Sequence, residues 1–288
     1  MSVINTEKNI NTNKQSKDNF IFRYAIVIEY NGHKFAGSQR QLNQRTVQSE
    51  LEAALGVIAR VKVTTIFAGR TDKGVHSQGQ VVHFDLPNIV DSYGFLYAVN
   101  SLLPDDLSII NVIKVDKKFH SQKSALFRWY RYKINNQKHR SVWMKESLHI
   151  HTKLDLEAMN KALGYLIGNH DFNSFKNANT ANPYTDCKML YAECKNDNDV
   201  IYIDLVANRF LYNMVRIIVG TLIDIGLGIQ NAEYILEVLN SKKRENAGKT
   251  VKPDGLTFMY VGYNKEYNIY DGLNKEAIYN ENLLCKAS

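Results

Sequence analysis

Short segments in which apolar and polar residues alternate recur along the chain, and the first of them predicts a strand over 22–30. Asn31-Gly32 follows, and this pair favours a turn that ends the strand. Other segments rich in β-branched and aromatic residues predict further strands. These cover 61–67, 80–86, 108–115, 126–134, 189–194, 200–206 and 258–263.

Helices are predicted where apolar residues recur every three or four positions. Thr46 and Asp155 each precede such a segment and belong to the residue types that cap helix N-termini. Pro104 and Gly226 mark two predicted helix ends. The predicted helices cover 47–58, 92–103, 156–166, 210–225 and 232–239.

The predicted elements run strand, helix, strand, strand, helix, strand, and a similar but less regular round follows. This order predicts an α+β fold with two similar halves of mixed, mainly antiparallel sheet and with helices packed on one side. We place the halves at 20–115 and 116–265. Residues 1–19, rich in Asn, Lys, Ser and Thr, are expected to form a disordered tail, and 266–288 a C-terminal extension.

The 288-residue chain carries a net charge of +7. A basic balance favours a polyanionic partner, with nucleic acid first and an anionic membrane surface second. No apolar run reaches the roughly 18 residues of a membrane span, and the N-terminus lacks the apolar core of a signal peptide. The three cysteines, Cys187, Cys194 and Cys285, are irregularly spaced, which indicates reduced thiols. The sequence therefore predicts a soluble cytoplasmic protein.

Several familiar chemical motifs do not occur in the sequence. It has no glycine-rich dinucleotide fingerprint, no P-loop, no zinc-protease HExxH and no GxSxG nucleophile motif. His149 and His151 are two positions apart, a spacing that puts both on one face of an extended segment, and both are suitable metal ligands. No third ligand is evident nearby, so an ordinary solvated strand face is favoured and no metal site is predicted.

Residues 69–77 form a polar, glycine-containing segment between two apolar predicted strands. Asp72 lies in it, flanked by Arg70 and Lys73, which are suited to phosphate contacts. One interpretation is an acid presented on a phosphate-binding loop by a rigid scaffold. The other is a β-hairpin in which Asp72 is a turn residue, and spacing alone favours that interpretation.

The same segment carries a resemblance to a known family. Residues 69–76 read Gly-Arg-Thr-Asp-Lys-Gly-Val-His, which resembles the GRTDxGVH signature of the tRNA pseudouridine synthase A family. Other family patterns follow in the same order: YDGxxFxGWQxQ at 30–41, FHAR…SAxxRxYxY at 119–132, DFxSF at 171–175 and xxFLxxMVRxIVG at 208–220. The resemblance spans residues 22 to 263.

The chain departs from these family patterns at a few positions. Ser38 stands where the family usually has Trp, Asn31 where it has Asp, and Lys123 where it has Phe. Residues 252–256 match the family's APAxGL only loosely. The signature around Asp72 is intact.

The resemblance implies a pseudouridine synthase fold and an isomerase that converts uridine to pseudouridine in tRNA. It implies that Asp72 is the catalytic carboxylate, that Tyr130 stacks on the target base, and that Arg216 pairs with the aspartate. Arg70 is expected to position the flipped nucleotide or its phosphate. The family modifies positions 38 to 40 of the anticodon stem-loop and acts as a homodimer, so both are expected here. No bond is lost overall in this isomerisation, so no cofactor is expected.

The residues by themselves leave alternatives open. Tyr130 alternates with Arg128 and Tyr132 as on any strand face, and Arg216 is equally suited to pairing with a structural acid. A non-catalytic RNA-binding protein and a nucleoside or glycoside hydrolase are the other candidate functions. Whether Asp72 attacks the ribose or abstracts a proton is also open.

Basic and aromatic residues between 117 and 145 form the candidate RNA surface, because lysine and arginine bind phosphates and position RNA. They are Lys117, Lys118, Lys123, Arg128, Arg131, Lys133, Lys138, Arg140, Trp143 and Lys145. The alternative is a solvated face without a partner.

Overall fold

The structure is a computed structural model, and it describes residues 21–180 and 183–273. Within these ranges the strands are β1 Phe22–Tyr30, β2 Ile66–Phe67, β3 His76–Leu86, β4 Leu107–Val115, β5 Phe127–Asn135, β6 Leu148–His149, β7 Gly168–Asp171, β8 Asp186–Asp197, β9 Val200–Ala207 and β10 Leu256–Gly262. The α-helices are α1 Val47–Ala59, α2 Ser92–Asn100, α3 Leu156–Gly164, α4 Met214–Gly226 and α5 Tyr234–Ser241.

All the described strands belong to one sheet with the order β4-β1-β3-β10-β5-β9-β8-β7, while β2 pairs with β3 and β6 with β5. Among these strands, only the β3–β10 and β5–β6 pairs are parallel. The α+β fold with a mixed, mainly antiparallel sheet is therefore confirmed. β10 follows most of the chain in sequence, yet it lies between β3 and β5 at the centre of the sheet.

Two apolar clusters hold the helices against the sheet. In the first, alternate residues of β1 such as Tyr24 and Ile26 pack with Leu51 of α1 and Phe95 of α2. The second, larger cluster packs α3, α4 and α5 against the strands around β5 and β9, and it also includes Val27 of β1. The boundary between residues 115 and 116 stays a prediction, because strands from both sides share one sheet.

Helix starts follow the predicted caps at two places. The Thr46 hydroxyl accepts a hydrogen bond from Ser49 N, and the Ser49 hydroxyl in turn accepts one from Thr46 N, which is a capping box. Asp155 caps α3 through Ala158 N at 3.0 Å. The helix predicted from Phe210 is wrong in its first turn, because Asn213 adopts a left-handed conformation with φ of 64° and α4 begins only after it.

The strand predicted over 61–67 is wrong except for its last two residues. Thr65 hydrogen-bonds to α1 instead of to a strand: its N–H and hydroxyl donate to Glu52 at 2.8 and 2.9 Å, and its carbonyl accepts from Gln48. β3 begins at His76, four residues earlier than predicted, so the preceding loop is shorter. The strands β6 and β7 were not predicted, since both are short and β7 lacks alternating apolar residues.

The predicted tail over 1–19 lies outside the described residues, as do Cys285 and most of the extension predicted over 266–288. The described part of that extension packs on the sheet, where Ile269 and Tyr270 are buried and the Tyr270 hydroxyl donates to Val261 O at 2.8 Å. Among the described residues, no helix has the length and apolar character needed to cross a bilayer.

Candidate active site

A cleft of about 1040 Å³ opens where the loop before β3 meets β5, the first residue of β10 and the start of α4. Four side chains singled out in the sequence line it, namely Asp72, Tyr130, Arg216 and Arg70. They come from three segments that are far apart in the chain. Folding therefore brings together the residues that the resemblance implies.

The segment 68–75, named here the Asp72 loop, joins β2 to β3. The two strands do pair as in a hairpin, with Phe67 opposite Val82. Asp72 does begin a turn, since Val75 N donates to its carbonyl at 3.1 Å, but the loop is also fastened to the sheet. The buried Gln80 side chain accepts from Gly69 N at 3.3 Å and donates to Gly69 O at 2.8 Å.

Residues of the Asp72 loop alternate between anchored and presented positions. Gly69 and the buried Thr71 are held by hydrogen bonds, while Arg70 is exposed and Asp72 is half-buried. A side chain at position 69 would approach Phe258 to 3.0 Å, so glycine permits the close approach of the loop to β10. The loop thus presents its arginine and its aspartate from a fixed backbone.

Arg216, in the first turn of α4, is the ion-pair partner of Asp72. Its Nη1 lies 3.4 Å from Asp72 Oδ2, across 144 positions of sequence. The guanidinium is held in place by Nε donating to Val251 O at 2.7 Å and by Nη1 donating to Asn213 Oδ1 at 3.1 Å. Two neighbours thus fix Arg216 independently of the aspartate.

Two opposing effects act on the Asp72 carboxyl. Burial raises the pKa of Asp72, since a charged carboxylate is disfavoured away from water, and Arg216 lowers it through its charge and its hydrogen bond. Burial is the larger effect, so the pKa of Asp72 is raised overall. Arg216 favours the ionised form, as expected, but it only partly offsets the burial.

Tyr130 on β5 lies beside the Asp72 loop and is buried. Its ring packs edge-on against Phe210 and Phe258, with centroids 4.9 and 4.8 Å away. Burial raises the pKa of Tyr130 far above its ordinary value, and the nearby Asp72 charge adds to this. The phenol therefore keeps its proton near neutral pH, and that proton is available for a hydrogen bond.

Arg128, assigned to the RNA surface from sequence, is turned inward. Its guanidinium donates to the carbonyls of Ala68 at 3.0 Å, Gln122 at 2.7 Å and Asn208 at 2.7 Å. A guanidinium that bonds three separate backbone segments holds them together, so Arg128 has a structural role. It also lines the cleft, and its assignment to the RNA surface stays a prediction. Arg131 of the same group is paired with Asp204 at 2.9 Å.

Sequence reasoning missed several residues that line the cleft or support its loop. Gln80 and Asn213 orient the loop and Arg216, and Arg209, Phe210 and Asn179 line the walls. Gln80 could have been found from the sequence, because it lies only four residues after the end of the signature. The position of Asn213 depends on its left-handed backbone, for which a favourable residue type is the only sequence signal.

The histidine pair considered as a metal site is not gathered with other ligands. His149 Nε2 lies 3.0 Å from the carbonyl of Gln137. Across 21–180 and 183–273, no three His, Cys, Asp or Glu side chains are grouped to hold a metal ion.

Comparison with known proteins gives one consistent result. A family model described as tRNA pseudouridine synthase matches residues 162–264. A tRNA pseudouridine synthase A of Bacillus pumilus is 41% identical over 240 residues, which cover 82% of this chain and 97% of the relative. Proteins of the same name from Buchnera aphidicola and Acetivibrio thermocellus are 40% and 36% identical, covering 86% and 83% of this chain and 94% and 98% of theirs.

Proposed function

The chain belongs to the tRNA pseudouridine synthase A family, an isomerase family that converts uridine to pseudouridine in tRNA, and on that premise we propose that Asp72 is its catalytic carboxylate. The observation that supports the proposal is the convergence of Asp72, Arg216 and Tyr130 in one cleft. Asp72 is the only acid among the described residues that line this cleft, so no second carboxylate of this set competes for the role.

The reaction breaks the bond between N1 of uracil and C1′ of ribose, turns the base, and joins C5 to C1′. C5 releases its proton and N1 takes one up, so the composition of the nucleotide does not change. An ionised carboxylate is needed to begin, either by attacking C1′ or by abstracting a proton from the ribose. Both routes use the same charged form of Asp72, which Arg216 stabilises at 3.4 Å. The half-buried position of Asp72 limits access of water, which would otherwise hydrolyse the intermediate.

Tyr130 is proposed to hold the uracil while it is detached. The detached base must stay in the cleft to be rejoined, and an aromatic side chain replaces the stacking that a base loses when it leaves its helix. Because the pKa of Tyr130 is strongly raised, its hydroxyl serves as a donor to the base rather than as a base itself. Phe210 and Phe258 fix its ring edge-on from two sides.

The substrate is proposed to be the anticodon stem-loop of tRNA, with uridines at positions 38 to 40 as targets. The cleft rim carries Arg40, Arg70, Lys73 and Arg209, a set of cations suited to the phosphates around a flipped nucleotide. A homodimer that holds one tRNA across both subunits is proposed on the family premise alone. A cytoplasmic location is proposed as well, since Cys187 and Cys194 are unpaired, as in a reducing compartment.

The test is Asp72→Asn, which keeps the size of the side chain and removes its charge. We expect tRNA affinity to stay within about twofold and the single-turnover rate to fall roughly 10⁴-fold or more, as for loss of an essential catalytic group. Tritium release from C5-labelled uridine and mapping of pseudouridine in tRNA measure the loss.

Asp155→Asn is the matched control, because asparagine caps a helix as well as aspartate does and Asp155 lies on α3. Near-normal pseudouridine yield from Asp72→Asn would remove the assignment. Binding without any tritium release by the unaltered protein would support a non-catalytic RNA-binding protein, and free uracil as product would support a hydrolase.

A further inference from the structure

Ser38 is fully buried directly in front of α1, at the position where the family usually has tryptophan. The start of α1 fixes this segment, since Gln48 N donates to Ser38 O at 2.9 Å and Val47 N donates to Gly37 O at 3.3 Å. These bonds satisfy two of the otherwise unpaired N–H groups at the helix N-terminus. Ser38 is therefore attached to a rigid element.

From that position Ser38 binds both backbone polar groups of Thr71. Thr71 N donates to Ser38 Oγ at 2.8 Å, and Ser38 N donates to Thr71 O at 3.0 Å. The Thr71 side chain is held separately, with its hydroxyl 2.8 Å from that of Tyr30. All three polar groups of the residue before Asp72 thus have buried partners.

The two segments touch along their backbones as well. Gly37 has a φ of 116°, and a Cβ on it would lie 2.9 Å from Thr71 O. Only glycine combines that conformation with that approach. A tryptophan at position 38 has no hydroxyl to accept from Thr71 N, so this chain fastens the loop by a bond that the usual family residue does not make.

We propose that Ser38 is a positioning residue, which fixes the backbone of Thr71 and thereby the place of the Asp72 carboxylate in the cleft. Asp72 needs such support, because the one side chain of the described residues shown to bond its carboxylate is Arg216, at a long 3.4 Å. Ser38 does not line the cleft and is 0% exposed, so it acts without touching RNA. The inference rests on the proposed role of Asp72.

The experiment compares Ser38→Ala with the unaltered protein in single-turnover kinetics and in tRNA binding. Alanine fills nearly the same space and leaves the buried Thr71 N–H without its acceptor. We expect the single-turnover rate constant to fall roughly 10- to 100-fold, the range expected for a displaced catalytic group, while the Kd for tRNA changes less than about twofold. The sulfur of Ser38→Cys is a weak acceptor, so the rate constant of this variant should lie between those of the unaltered protein and Ser38→Ala.

Ser174→Ala is the matched control, because Ser174 is equally buried and its hydroxyl bonds a carbonyl, that of Val238, outside the cleft. It should lower the melting temperature without lowering the rate constant of the folded protein. If Ser38→Ala does not fold, the comparison of Ser38→Cys with the unaltered protein decides the question by the same criterion.

Three outcomes would overturn the proposal: an unchanged rate constant in the folded Ser38 variant, a loss confined to tRNA affinity, or equal rate losses in the Ser38 and Ser174 variants. Failure of the proposed function is a separate result, since it would appear as an active Asp72→Asn protein. An inactive Asp72→Asn protein with a fully active Ser38→Ala protein contradicts only the role of Ser38.

Discussion

The Asp72 loop and the loop over 136–147 both connect strands and both carry basic side chains, yet their backbones are held differently. In the Asp72 loop, Gly69 and Thr71 are each bonded by side chains from other elements. The ends of the 136–147 loop are bonded to other segments, Asn136 to Asp199 and Glu146 to Asn31. Between these ends Ser141 bonds only a near neighbour, and Lys138, Arg140 and Trp143 are exposed. A fixed backbone suits a carboxylate that must meet one atom, and a freely presented side chain suits contact with an extended polyanion.

Of the variants that test this comparison, Arg216→Met is expected to have the largest effect, because it acts on the carboxylate of the fixed Asp72 loop. Removing the cation that faces Asp72 should lower the single-turnover rate constant roughly 10²- to 10³-fold, the range for loss of one preorganised charge partner. The pH dependence should change too. Activity needs ionised Asp72 and is lost as the pH falls through its pKa, which Arg216 lowers, so the acid limb should move to higher pH.

A pH–rate profile of single-turnover tritium release measures that shift. Arg244→Met is the matched control, since Arg244 also bonds local groups, Ala247 O and Thr250 Oγ1, but does not line the cleft. An acid limb that stays in place in the Arg216 variant would show that Arg216 does not act on Asp72.

An intermediate effect, on tRNA affinity, is expected in the 136–147 loop when Lys138, Arg140 and Lys145 are replaced together by alanine. If these side chains bind phosphates, tRNA affinity should fall roughly tenfold, and the slope of log K against log salt should become shallower by about 0.7–0.9 for each phosphate that the variant no longer neutralises. The single-turnover rate at saturating protein should not change, because none of the three lines the cleft.

Filter binding over a range of salt concentrations measures the tRNA affinity and its dependence on salt. The charge-matched control replaces Lys161, Lys195 and Lys265, which are exposed on α3, β8 and the turn after β10. Equal reductions of affinity in both triple variants would mean that net charge, rather than the 136–147 loop, governs binding.

The smallest effect is expected on stability from Trp143→Ala. Trp143 is 91% exposed, so its removal should change the free energy of unfolding by less than about 0.5 kcal/mol. Urea denaturation followed by circular dichroism measures the change. A destabilisation above about 1 kcal/mol would show that this side chain packs against the protein in solution, and the contrast between the two loops would weaken.

The sequence predicted those features of the fold and of the site whose interacting residues are close together in the chain. The cap of α1 at Thr46 was predictable, because its partner Ser49 is three residues away. The Asp72 loop was placed between two strands by local pattern, but its hairpin interpretation and its active-site interpretation were separated only by family resemblance. Nothing local distinguishes an aspartate in a turn from one that faces an arginine 144 positions later.

Other parts of the site depend on interactions that local patterns do not contain. Arg128 was assigned to the RNA surface as one of the basic residues between 117 and 145, yet its guanidinium also bonds three carbonyls from separate segments. Ser38 looked like a departure from the family with no evident replacement for tryptophan. Its hydrogen bonds to Thr71 exist only once α1 and the Asp72 loop have come together.

The central place of β10 has a consequence for how the protein is made. The Asp72 loop, which leads into β3, and the strand β5 each contribute a wall of the cleft, and β10, which begins at Leu256, is the strand that joins β3 to β5. A nascent chain emerges from the ribosome N-terminus first, so both walls are synthesised well before the strand that unites them. Until then, two strand edges at the middle of the sheet stand open to pairing with other chains. A chain that stops before Leu256 therefore carries every residue of the proposed catalytic set and still cannot assemble the cleft.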